Sequence, residues 1–318
     1  MTTVDLKLNK KYAIMFPGNI ASYFLCIEQM KPIIENPNID IYILYSNKNY
    51  CHYKLAGCNK YFTIDDNDIQ LIQKTFKNIK YFNNIENIDD YSLYLDNYIQ
   101  KFHNNIKWIN DITDEQMMSF KYIDFFDNNR AIRYLDQFVR IQYLSETILK
   151  NHIEYDYIIR LRLDHFYDNN VLLNMFNMLE KTYVPCITNL DCLFSIGKHH
   201  FTFFNYLINN IGSYNNNNGS YRLGPEVQFE GMINTFFNKN DVYKLAISIT
   251  WSFINEITKY TYINKYFNEY RTINNINDTN YIEKFINNQN IIINNHNIKL
   301  FEKYKNHLFA VYTIITAS

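Results

Sequence analysis

Glycine and proline are scarce in this chain, 7 and 5 among 318 residues. The glycine-rich loops that cradle phosphates are missing: the sequence holds no G-x-G-x-x-G and no G-x-x-x-x-G-K-[ST], which counts against dinucleotide oxidoreductases and P-loop enzymes. H-E-x-x-H and G-x-S-x-G are missing too, so zincins and serine hydrolases lose ground. The five cysteines, Cys26, Cys51, Cys58, Cys186 and Cys192, are an odd number and form no C-x-x-C pair. They signal neither a disulfide framework nor a structural zinc site. No run of about 18 apolar residues occurs, so no membrane span is expected. Met1–Lys11 lacks the apolar stretch of a secretory signal, and reduced thiols in a cytoplasmic protein are the expectation. Neither sign of charge dominates, with 31 Lys and Arg against 32 Asp and Glu. A nucleic-acid binder usually carries a basic excess, so nucleic acid is not an expected partner.

What the chain does have is 47% hydrophobic residues, enough for a sizeable core, and asparagine at about one residue in seven. That skew is what AT-rich codons produce, as in some viruses and protists, and it carries no chemistry. Lys11–Phe16 is a short β-rich apolar run that ends at the turn Pro17-Gly18-Asn19. The pattern then predicts a helix over Ile20–Ile34 and a second strand over Ile39–Tyr45. This β-turn-α-β opening predicts an α/β fold with a mainly parallel open sheet and helices on both faces. Ligands of such sheets bind at the carboxyl ends of the strands, where Pro17, Gly18 and Asn19 fall. Asp65–Asn129 patterns weakly and reads as peripheral helices. Arg130–Lys150 is an amphipathic helix. Beyond it the pattern predicts strands over Tyr155–Leu163, Tyr183–Thr188 and Cys192–Ile196, and helices over Val171–Lys181, His199–Ile211 and Pro225–Phe237. The expected division is a core over residues 1–240 and a C-terminal elaboration over 241–318.

The chemistry concentrates in Tyr157–Asp164, YIIRLRLD. A strand period of two sends Arg160, Arg162 and Asp164 to one face and Ile159, Leu161 and Leu163 to the other. A central strand of a parallel sheet is normally apolar on both faces. Two guanidiniums there need carboxylates, a bound anion or water, because they cannot shed their charge. One reading is a half-exposed strand with an Arg–Asp ladder. The other is a phosphate-facing strand end, with Arg forks binding pairs of oxygens and Asp164 as an oxygen ligand for a divalent cation. Arg140, on the preceding helix, is a candidate to lie over the same pocket. Asp191 caps a loop or serves the site. Glu226 follows Gly224-Pro225 at a helix start, where an acid complements the helix dipole and also stands where a substrate can approach. The adjacent His199 and His200 have poor geometry for sharing a metal and read as surface residues.

These pieces resemble a family of GT-A-type glycosyltransferases. The resemblance rests on the opening strand with its glycine turn (Ala13–Asn19) and on Tyr155–Asp164, which matches a "YDYVIRxRxD" strand. It also rests on an Asp before a strand and a Gly (Asp191 and Gly197), and on the "GPE" helix start Gly224-Pro225-Glu226. It covers roughly residues 11–237. It implies a GT-A/Rossmann-like sheet and transfer of a sugar from a nucleotide-sugar donor to a hydroxyl of a glycan or protein acceptor. Pro17, Gly18 and Asn19 would contact the nucleoside, and Arg160 or Arg162 the diphosphate. Asp164 would bind Mn2+ or Mg2+, and Glu226 or Asp191 would orient or deprotonate the acceptor. The family's Asp-x-Asp motif is incomplete here, since residue 166 is Phe. A nucleotidyltransferase and a non-catalytic nucleotide-sugar-binding module are the alternatives.

Overall fold

A computed structural model describes residues 6–18, 30, 33–46, 48–50, 61–63, 66–105, 128–163, 169–189, 193–214 and 225–245. Its centre is a seven-stranded sheet. The strands are β1 (Tyr12–Gly18), β2 (Ile39–Tyr45), β5 (Ile79–Asn84), β6 (Tyr157–Arg160), β7 (Cys186–Asn189), β8 (Leu193–Gly197) and β9 (Val242–Lys244), in the order β5-β2-β1-β6-β8-β7-β9. The short β3 (Lys48–Tyr50) and β4 (Tyr61–Thr63) pair separately as an antiparallel ribbon. Within the sheet only β8 runs against its neighbours; β5, β2, β1, β6, β7 and β9 share one direction.

β1 and β2 form because their residues are apolar on both faces: every residue from Tyr12 to Pro17 and from Ile39 to Tyr45 is buried. Strands of that kind need helices above and below. Tyr12, Ile14 and Phe16 point into one core. They meet the helical residues Met30, Ile33 and Ile34, Ile72 of α1 (Asp66–Thr75), and Leu172, Met175, Phe176 and Leu179 of α4 (Asn169–Lys181). Ala13 and Met15 point into a second core on the other face. This one is closed by α2 (Tyr91–Asn105), α3 (Asn128–Lys150), α5 (Phe203–Asn210) and α6 (Pro225–Phe236). The α/β class, the mainly parallel sheet and the helices on both faces are therefore as expected. Among the described residues, no helix is long and apolar enough to cross a membrane.

Several element boundaries differ from expectation. β6 ends at Arg160, three residues short of the expected Leu163. The region read as peripheral helices contains β5, an edge strand of the main sheet. Lys198–His200 forms a separate 3-10 turn, so α5 starts only at Phe203. Leu245, the last described residue, still hydrogen-bonds to Thr188 of β7, so the sheet runs past residue 240.

Candidate functional site

The chain order of the sheet changes direction at one place. From β1 the chain goes to β2 and then β5 on one side; it returns through α2 and α3 to β6 on the other side of β1. Two neighbouring strands whose connections leave in opposite directions open a crevice at their carboxyl ends. Here that switch point lies between the ends of β1 and β6.

β1 contributes Pro17 and Gly18. Gly18 has φ +125°, a conformation L side chains rarely adopt, and among the described residues nothing lies within 4 Å of where a Cβ would stand. Its backbone is therefore open to close approach by a ligand. β6 contributes the arginines. Met15 pairs with Arg160, and one further ladder bond, Leu161 N–H to the Met15 carbonyl at 3.1 Å, carries the pairing on. Arg162 follows at the level of Pro17. Alternation holds as expected: Ile159, Leu161 and Leu163 enter the first core. Ile158 enters the second core, and Arg160 shares its face. The half-exposed ladder does not hold for Arg160, which is 1% exposed; Arg162 is partly exposed.

Arg160 belongs to a row of register partners across the sheet: Thr188 of β7, Phe194 of β8, Arg160, Met15 of β1 and Tyr42 of β2. α3 covers this face and runs against the strands. Just past its end, Asn151 donates to the Tyr42 hydroxyl, which also bonds that of Tyr155; Tyr155 in turn donates to Asp40 near the start of β2. Arg140 lies eleven residues back from Asn151, about 16 Å along the helix, which brings it to the level of the strand ends. It is 8% exposed. Gln142, 2% exposed, is tied by its amide to Glu146 (2.8 Å) and Asn205 (3.2 Å). Arg140 and Arg160 are thus both buried, and Arg162, two residues past Arg160, is partly exposed. All three stay cationic, since a guanidinium does not lose its proton at any ordinary pH.

Asn19, Asp164 and Asp191 lie outside the described residues. Glu226 is in the first turn of α6, as expected. Among the described residues, no group of three or more His, Cys, Asp or Glu is placed to hold a metal. Burial pushes the Cys186 thiol well up, which keeps it a neutral core residue and not a nucleophile. His199 is exposed, and Tyr183 shares a hydrogen bond of 3.1 Å with His200.

Sequence reasoning missed a set of residues around α6. Gln228 is fully buried; its Oε1 accepts from Gly212 N–H (3.0 Å) and Tyr214 N–H (3.3 Å), and its Nε2 donates to the Tyr214 carbonyl. It ties the first turns of α6 to the chain entering the Asn-rich stretch. Glu230, Ile233 and Asn234 of α6 line a cleft of about 140 Å³ with Thr188, Asn189, Lys244 and Leu245. The usable signal was the helical spacing of positions 226, 230, 233 and 234, which puts them on one stripe.

The opposite edge of the sheet is fastened by ion pairs. Asp40, 3% exposed, meets Lys11 (3.4 Å) and Lys80 (3.7 Å). Glu180 accepts from the Tyr12 hydroxyl (2.7 Å) and from the Asn9 and Lys10 N–H groups. Burial first, then the bonds to Tyr42 and Asp40, push the Tyr155 hydroxyl well above its ordinary pKa. These contacts hold the amino-terminal edge of the sheet closed. Compared with known families and curated proteins, the chain matches no family model and no curated protein.

Proposed function

We propose that this chain is a glycosyltransferase of GT-A-like fold that moves a sugar from a nucleotide-sugar donor to a hydroxyl acceptor. One observation supports the reading: at the switch point where the strand order reverses, β1 ends in the positive-φ Gly18, while β6 ends in the buried Arg160 and is followed by the partly exposed Arg162. Backbone that a ligand can approach closely, beside cations of fixed charge, suits a nucleoside diphosphate. In this reading Pro17, Gly18 and Asn19 meet the nucleoside, while Arg160, Arg162 and Arg140 supply positive charge around the diphosphate. Asp164 is the residue assigned to a divalent cation, Mn2+ or Mg2+, which adds to that neutralisation when bound.

In the reaction the acceptor oxygen bonds to the anomeric carbon of the donor. The bond from that carbon to the diphosphate oxygen breaks, with its electron pair on the diphosphate. The acceptor proton passes to a carboxylate, for which Glu226 and Asp191 are the candidates. The leaving group gains negative charge as it departs, so fixed positive charge aimed at it is the main catalytic requirement. The C-terminal elaboration over 241–318 belongs to this same reading.

The test is calorimetry of the full chain with a panel of sugar nucleotides, each with and without manganese, followed by an assay for released nucleoside diphosphate. Binding of at least one sugar nucleotide and release of its diphosphate are expected. Binding without release would make the chain a nucleotide-sugar-binding module. Release of pyrophosphate from nucleoside triphosphates would make it a nucleotidyltransferase. No binding of any donor would end the reading.

A further inference from the structure

α6 presents a polar stripe that the arginine-lined crevice does not use. Glu230, Ile233 and Asn234, at i, i+3 and i+4, line the cleft of about 140 Å³ together with Thr188 and Asn189 at the end of β7 and Lys244 and Leu245 at the end of β9. Thr188 stands in the same cross-sheet row as Arg160, two strands away, or about 10 Å at the usual strand spacing. Phe194 fills the row between them and stacks on Phe229 of α6 at 4.9 Å. The cleft and the end of β6 therefore stand on either side of this aromatic pair, at the same edge of the sheet.

Position 226 stands at the start of the same helix. It lies one turn before Glu230 on the same stripe, about 6 Å along the helix. The far end of α6 is at the opposite sheet edge, where Phe237 contacts His200 at 5.3 Å. The start of α6 is thus at the same sheet edge as the cleft.

The lining points to the kind of group. Glu230 and Lys244 pair at 2.7 Å yet remain 42% and 66% exposed, and Asn234 is exposed. The amide of Asn189 donates to the Leu245 carbonyl at 2.7 Å, which fixes the polar wall. Ile233 and Leu245 supply apolar floor. A small, mainly apolar floor rimmed by exposed Glu230, Lys244 and Asn234 suits the C–H face of a sugar ring with its hydroxyls at the rim; a peptide segment needs a longer groove.

We propose that this cleft receives the acceptor and that the acceptor is a saccharide. The inference rests on the transfer reading above. The experiment is saturation-transfer NMR on the full chain with the methyl glycosides of glucose, galactose, mannose and N-acetylglucosamine. Nucleoside diphosphates are present throughout to occupy the crevice. At least one glycoside should give a saturable signal, and Asn234→Trp, which fills the cleft mouth from an exposed position, should weaken its binding at least tenfold with an unchanged melting curve. If that variant melts early, Glu230→Ala carries the same test. No signal from any glycoside, or a signal that survives both substitutions, overturns the cleft assignment alone when sugar nucleotides still bind. A glycoside held in the cleft of a chain that binds no sugar nucleotide overturns the transfer reading, and the acceptor role with it.

Discussion

Met15 and Arg160 stand side by side on adjacent parallel strands, and the arginine is as inaccessible as the methionine, at 1% and 0% exposure. Phe194 closes the other flank of Arg160. A guanidinium this deeply buried cannot be a solvated surface charge; its environment must balance it. Arg160→Ala is therefore expected to cost about 3 kcal/mol or more in chemical denaturation, the range for breaking a buried charge interaction. Arg160→Lys should recover only part of this, because an ammonium cannot reproduce the planar fork. A loss below about 1 kcal/mol for the alanine variant would match an exposed ion pair instead and sink the argument.

How far the sequence discloses this molecule depends on where each segment sits in the sheet. β1 and β2 were legible because central parallel strands are apolar on both faces. β5, IKYFNN, was not: it is an edge strand with only Asn84 buried, so its residues carry neither a continuous apolar run nor clean alternation. Nothing in the residues of β8 marks its reversed direction, which follows from the three-residue link from Asn189 to Leu193, too short for the crossover a parallel pair requires. The arginine pair was legible because two guanidiniums on a core strand demand an explanation. The cleft was not, since it is assembled from β7, α6 and β9 with no motif in any of them.

Gly18→Ala separates backbone strain from steric blockage. Among the described residues no atom lies within 4 Å of the added methyl, but φ +125° disfavours any L residue. A stability loss of about 1–3 kcal/mol is expected from that strain. Weaker sugar-nucleotide binding should accompany it, because the relaxed backbone no longer borders the crevice in the same way. Equal melting temperature and equal donor affinity in the alanine variant would count against Gly18 as part of the site.

Acid stability should report on Asp156. Burial alone would raise its carboxyl, but the Lys11 N–H, the Lys198 hydrogen bond at 2.9 Å and the charges of Lys198 and Lys10 outweigh that and hold it below the usual carboxylate range. A depressed folded-state pKa stabilises above the unfolded value and is lost as pH falls through the folded one. Stability of the wild type should thus fall faster than that of Asp156→Asn as pH drops below about 4, and the two curves should run parallel from pH 5 to 8. Denaturant midpoints across that range decide it, and parallel curves through the acid region would refute the assignment.

Under the proposed transfer reaction, Asp164 and Arg162 are expected to divide the neutralisation of the diphosphate between a cation-dependent and a cation-independent share. Asp164→Asn keeps the size of the side chain and removes only its charge. The packing just before it is carried by Leu161 and Leu163, at 0% and 1% exposure, so the melting curve should not move. Manganese-dependent strengthening of sugar-nucleotide binding should vanish in this variant, and transfer with it. Arg162→Ala removes a charge-assisted contact worth about 1.5–3 kcal/mol, so donor affinity should drop about tenfold or more whether or not manganese is present. Calorimetry of both variants with and without the metal reads the two shares separately. Full activity in Asp164→Asn would end the metal-ligand assignment. Unchanged donor affinity in Arg162→Ala would mean that the diphosphate is not bound at the end of β6.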